Sequence, residues 1–125
     1  MRNARVLALA VILGALAAPP RTQADPPLAS EQSHVCDTVE TAVYPGSRVQ
    51  VKCHPQWTNP VSSATAEFFA VASSSALASQ VASVGLAAQT SSKKVRIRFR
   101  TSSTDNPSGC STGDCRKLVG IMLEN

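Results

Sequence analysis

Reactive chemistry in this chain has few places to reside: four cysteines, two histidines, a row of arginines and one tryptophan. Zinc knuckles ask for Cys-x2-Cys spacing, and neither His34-x-Cys36 nor Cys53-His54 supplies it. Dithiol redox motifs place two residues between their cysteines, whereas Cys110 and Cys115 have four between them. There is no Gly-x-Ser-x-Gly elbow, no glycine-rich phosphate loop and no helical carboxylate pair. Beyond Gln32 the acids stand singly at Asp37, Glu40, Glu67, Asp105, Asp114 and Glu124, which offers no glycosidase pair. The expectation is a non-enzymatic protein without cofactor or metal.

Binding chemistry has three candidates. Arg96, Arg98 and Arg100 alternate along one segment, so their guanidinium forks lie on one side of a strand. They could take carboxylates of an acidic sugar or of a neighbouring subunit; equally, they are the wet face of an amphipathic strand. Trp57 lies in the proline-bounded stretch His54–Pro60, where it could stack on a sugar ring or cap the core. Leu86 falls opposite the main apolar stripe of its helix, which hints at a second packed surface.

The charge balance places the protein before it names a ligand. Twelve Lys and Arg oppose eight Asp and Glu, but Arg2, Arg5 and Arg21 lie in the first 24 residues, which hold no acid. Beyond Ala24 the count is nine against eight, so a nucleic-acid partner is not expected. Two arginines followed by the thirteen-residue apolar run Val6–Ala18 form an export signal too short to span a bilayer comfortably. Thr22-Gln23-Ala24 sets a cut before Asp25; a cut after Ala17 or Ala18 is the rival, against which Pro19-Pro20 stands, and an uncleaved anchor is the other reading. Residues 1–24 are thus expected to be a signal peptide and 25–125 one small domain, periplasmic or secreted, with no membrane span.

An oxidising compartment turns four cysteines into two expected disulfides. Tyr44-Pro45-Gly46-Ser47 is a turn signal, and folding a hairpin there brings Cys36 almost opposite Cys53. Cys110 and Cys115 flank Ser-Thr-Gly-Asp, a loop that can close on itself. The expected pairs are Cys36–Cys53 and Cys110–Cys115.

These residues must be positioned by a short list of elements. Asp25–Gln32 reads as a loose leader and His34–Val43 as an imperfect strand. Arg48–Cys53 alternates cleanly, with Val49, Val51 and Cys53 on one side. Glu67–Ala72 is a third strand, or else runs on into the helix. Ala76–Gln89 is the helix, its face carried by Leu77, Val81, Val84 and Ala88. Ser79, Ala82 and Gly85 make its other side thin enough for a neighbouring backbone. Lys93–Arg100 is the clearest strand, with Val95, Ile97 and Phe99 inward. Leu118–Leu123 closes the chain as a strand buried on both faces. Five strands with one helix between the third and fourth is the element order of the OB-like barrel, a β-rich α+β fold.

Cys36 and Cys53 on adjacent strands, the helix, the strand Val95–Phe99 and a Cys-x4-Cys pair together resemble the binding subunits of pentameric-B toxins, the subtilase-cytotoxin and pertussis-like branch. The ending Gly120–Asn125 is similar to the last strand of enterotoxin-type binding subunits. The stretch from Lys93 through Gly109-Cys110-x4-Cys115-Arg116 also resembles a group of uncharacterised small exported bacterial proteins. The Cys-x4-Cys pair here precedes the last strand, and the leader is too short for the strand that carries much of the glycan pocket in the subtilase type, so no glycan-contacting residue carries over. The resemblance implies an exported carbohydrate-binding subunit, with glycan and identical subunits as partners; the candidate ligand or subunit contacts remain those read from the residues themselves, Arg96, Arg98, Arg100, Trp57 and Leu86. The other expectation is a monomeric structural or inhibitor-like protein.

Overall fold

A computed structural model describes residues 30–125. The signal-peptide reading of residues 1–24 and the leader up to Ala29 lie outside the described residues. The elements are β1 Glu31–Cys36, β2 Thr38–Tyr44, β3 Arg48–Thr58, β4 Thr65–Ala72, α1 Ala78–Ser91, β5 Val95–Arg100 and β6 Cys115–Leu123. They form one six-stranded sheet in the order β1-β5-β6-β4-β3-β2, antiparallel except for the short β4–β6 pairing.

The expected closed barrel of five strands does not form: the sheet has six strands and is not closed. The imperfect first strand is two strands, broken at Asp37. Cys36 and Val39 are both buried, and residues three apart cannot share a face of one straight strand. A break at the exposed Asp37 and Thr38 reconciles them, and it sends β1 and β2 to opposite ends of the sheet. Those ends remain tied. Cys36 and Cys53 form a disulfide with their Cα atoms 5.2 Å apart. The Asp37 amide donates to the His54 carbonyl at 2.7 Å, and His34 Nε2 donates to the Pro55 carbonyl at 2.7 Å. Cys110–Cys115 is the second disulfide.

The core follows the alternation of the strands. Val49, Val51 and Cys53 of β3 and Val95, Ile97 and Phe99 of β5 are buried, as their spacing requires. Phe99 is the centre of an aromatic group, 4.9 Å from Trp57 and 4.7 Å from Phe69 between ring centroids. Trp57 is therefore not in a proline-bounded loop: β3 continues through an irregularity between Lys52 and Trp57, with a cis His54–Pro55 bond, and turns the indole inward.

Helix α1 starts and ends two residues later than expected, and its N-cap is Leu77. Val81 and Ala88 are buried on the sheet, with Leu77 and Val84 beside them. The close approach that the thin side allows is made at Gly85, to strands of the same chain. Gly85 is itself buried against Thr41 and Val51, and a Cβ there would collide with the Thr41 hydroxyl. The last strand is not buried on both faces either. Leu118 and Ile121 point inward while Met122 is 57% exposed, because no described element covers the outer face of β6.

Burial separates two neighbours on β5. Ile97→Asp places a carboxylate where exposure is 0%, a change expected to cost more than about 4 kcal/mol and to unfold a domain of ordinary stability. Arg98→Ala removes an ion pair whose arginine side chain is 64% exposed, a loss of at most about 1 kcal/mol. Thermal melts check the contrast, and equal losses would contradict the inward–outward assignment.

Candidate functional site

The residues singled out for binding do not converge. Trp57 is 6% exposed and edge-on to Phe99, so its ring is not free to stack on a ligand. Arg96, Arg98 and Arg100 do project from the outer face of β5, but each meets an acid of its own chain. Arg96 pairs with Glu124, Arg98 with Glu31 at 2.9 Å and Arg100 with Glu31 at 3.6 Å. Leu86 is exposed on the helix, away from both sets.

A different surface is built along β3. The residues that alternate with its buried set are Arg48, Gln50, Lys52 and His54. Opposite them on β2 stand Tyr44, Ala42, Glu40 and Thr38, and on β4 Ala72, Ala70 and Phe68. From Arg48 to His54 this row runs about 20 Å at the usual strand rise of about 3.3 Å per residue. Ala42 flanks Gln50 on one side, while on the other Ala70 is fully buried in a cluster with Cys110 and Cys115. A cleft opens at each end. The one of about 180 Å³ is lined by Arg48, Gln50, Phe68, Gly109, Ser111 and Asp114, with Cys115 behind them. The other, of about 230 Å³, has Glu40, Lys52, His54 and Glu67 among its walls. Lys52 joins the two, paired with Glu67 at 3.5 Å and lying 5.9 Å from the centroid of the Phe68 ring.

Two connections meet at the first cleft. The turn between β2 and β3 carries Tyr44 and Arg48, and the long loop between β5 and β6 carries Gly109, Ser111 and Asp114. Ser47 Oγ donates to the Ser108 carbonyl at 3.3 Å across the junction. Gly109 has φ +81°, and a Cβ at that position would run into the Arg48 guanidinium. Glycine thus serves twice, for its left-handed backbone and for the close approach.

Arg48 is held before any ligand arrives. Its Nε donates to Gln50 Oε1 at 2.9 Å, and its guanidinium carbon lies 4.0 Å from the centroid of the Tyr44 ring. Among the described residues no carboxylate comes within salt-bridge distance of it. The cleft can therefore offer a planar cation, an amide, the Ser111 hydroxyl and the Asp114 carboxylate beside the Phe68 ring, with Tyr44 behind Arg48. That mixture recognises a polyhydroxylated ligand by hydrogen bonds and ring contact.

The loop itself is braced from within. Arg116 is only 7% exposed, and no carboxylate pairs with it among the described residues. Its Nε donates to the Thr101 carbonyl at 3.1 Å, and its Nη1 to those of Thr112 at 2.9 Å and Cys115 at 2.7 Å. Asn106 Nδ2 adds donations to the Cys110 and Cys115 carbonyls. Three of the five donors of a buried guanidinium thus meet carbonyl dipoles and fasten both ends of the loop to β6.

Sequence reasoning missed Arg116, Gly109 and the role of Arg48. The Tyr44–Ser47 turn and the Gly-Cys-x4-Cys-Arg string were both visible, but only tertiary contact brings them together. No protein-family model, no curated protein and no solved structure matches the chain. No helix among the described residues is long and apolar enough to cross a membrane.

The bracing has a measurable consequence. Arg116→Met leaves buried carbonyls without their charged donor and is expected to cost about 3 kcal/mol. Gly109→Ala is expected to cost about 1–2 kcal/mol through its positive φ. Urea melts with limited proteolysis of residues 101–114 check both; an Arg116→Met protein within about 0.5 kcal/mol of wild type, its loop uncut, would remove Arg116 as the brace.

Proposed function

We propose that this chain is a non-catalytic, exported binding module with an OB-type strand arrangement, and that the β3 face binds an oligosaccharide. Counting β1 and β2 as one bent strand supports the arrangement, since five strands then remain with the helix after the third. In OB-type folds the second and third strands, with the connections after the first and fourth, form the binding surface. Here those are β3 and β4, the turn at Pro45 and the loop 101–114. The observation that carries the reading is the convergence of that turn and that loop on the half-exposed Tyr44–Arg48 stack.

Charge favours sugar over nucleic acid. Glu40, Glu67 and Asp114 share the face with Arg48 and Lys52, and a phosphate backbone needs a surface of one sign. Aromatic rings beside mixed donors and acceptors suit a carbohydrate. Export is supported by two disulfides in a small domain and by the N-terminal signal pattern. On assembly, two observations favour the monomeric alternative over a toxin-like ring: the arginines already pair with acids of their own chain, and Gly85 is used against Thr41. The carbohydrate reading does not depend on a ring.

Screening against an array of neutral and acidic glycans, followed by titration calorimetry of any hit, tests the proposal. Tyr44→Ala and Arg48→Ala are each expected to weaken binding at least tenfold, or about 1.4 kcal/mol, without changing the melting temperature by more than a few degrees. Absence of any glycan hit, or binding indifferent to both substitutions, would overturn it. Light scattering is expected to give a monomer at micromolar concentration; a pentamer would restore the ring.

A further inference from the structure

We propose that a second surface, the hollow over Gly120 on the outer face of β1, β5 and β6, docks a single aromatic side chain of a protein partner, presented between acidic residues. This inference is independent of the β3 face. Strand register places Ser33, Arg98 and Gly120 in one row, and Arg96 with Met122 in the next. The row Ser33–Arg98–Gly120 is low because one side chain is small and one is absent. Glycine within a strand weakens it and marks close approach of another group. The pairing of β5 with β6 is also irregular beside it, between Arg98 and Phe99.

Ion pairing holds the hollow open. Glu31 lies opposite Arg100, so Arg98 leans along the strand toward Arg100 to reach it. Glu124 lies beyond Met122, so Arg96 leans the other way. The two guanidiniums diverge and leave about 240 Å³ between them, floored by Gly120 and Ile121 and walled by Met122.

The contents of the hollow select the occupant. A thioether and guanidinium planes are groups that pack on aromatic rings, and a glycine floor admits a flat one. The volume is below the roughly 300 Å³ at which sites for whole small-molecule ligands begin, yet ample for one ring, since a cavity of about 150 Å³ holds benzene. A single ring delivered by a larger partner is what fits. Around it, the ion pairs among the described residues set four cations, Lys94, Arg96, Arg98 and Arg100, against three acids, Asp37, Glu31 and Glu124. Both pairs at the hollow engage Nε, so the other guanidinium donors can meet carboxylates flanking the ring.

The test uses the peptide acetyl-Glu-Asp-Tyr-Asp-Glu-amide and versions with alanine for tyrosine or lysine for the acids. Amide ¹H–¹⁵N spectra of the protein are expected to shift at Ser33, Arg98, Gly120 and Met122 with the tyrosine peptide. Affinity is expected to fall at least tenfold for each altered peptide. Gly120→Leu fills the hollow, and its new Cβ would meet only the Arg98 Cβ, at the ordinary contact distance of 3.6 Å. That variant is expected to keep its melting temperature and lose at least tenfold in affinity, and Arg98→Ala, at an exposed position, is expected to do likewise. No shifts at millimolar peptide, shifts on the β3 face instead, equal binding of the alanine peptide, or affinity unchanged in both variants would each overturn the proposal.

Discussion

The structure depends on the junction at Asp37. There the chain leaves β1 at one end of the sheet and enters β2 at the other, and the Cys36–Cys53 disulfide fixes the two ends together. On the loop-entropy account a bridge of this separation is worth about 3 kcal/mol, a large share of the roughly 5–15 kcal/mol net stability of a small domain. The junction also decides what lies inside. With the ends joined, Val39, Val51 and Val81 face one interior with Phe99, and the irregular part of β3 that follows Cys53 turns Trp57 into that interior. Without it, the sheet would leave two unpaired edges that only the helix and single hydrogen bonds could cover.

A second constraint acts at the far end of β3. The loop before β6 is held by a buried cation, which is a costly choice unless every donor finds an acceptor. Arg116 meets three carbonyls, and the short disulfide closes the same loop. The result is a rigid platform on which Gly109 can lie against Arg48. Rigidity there matters for recognition, because a side chain already held by Gln50 and Tyr44 loses little freedom when a ligand arrives.

Legibility in the sequence followed the range of the interaction. Alternation alone located Val49, Val51 and Cys53 of β3 and Val95, Ile97 and Phe99 of β5; turn chemistry at Pro45 pointed to the right cysteine pair, although the hairpin sets Val39 opposite Cys53 and Cys36 reaches it from β1, not from the adjacent strand. The helix stripe at Val81 and Ala88 was equally local. Trp57 was legible only as one of two alternatives, because the prolines beside it read as a loop, whereas β3 continues through an irregularity to place the ring in the core. The exposed face of Met122 was hidden for a related reason: an unbroken apolar run cannot say which of its sides will be covered. Arg116 was invisible because its partners lie at Thr101 and Thr112, and no local pattern marks a guanidinium that will be buried under a loop.

The five arginines among the described residues show why residue type alone misdirected the search for a site. Arg96, Arg98 and Arg100 were conspicuous by their spacing, yet Glu31 and Glu124 take up much of their charge. Arg116 is buried and gives three of its five donors to backbone carbonyls. Arg48 sits at the start of the most regular strand and reads as ordinary surface. It is nevertheless the one that combines partial burial, a fixed orientation over an aromatic ring and no carboxylate within reach. A guanidinium placed that way has lost part of its hydration without gaining an opposing charge, a deficit that a ligand rich in oxygen acceptors would remove. Differential binding energy arises from such a deficit, and so the cleft beside Arg48, more than the arginine row on β5, is where an oligosaccharide would gain most on docking.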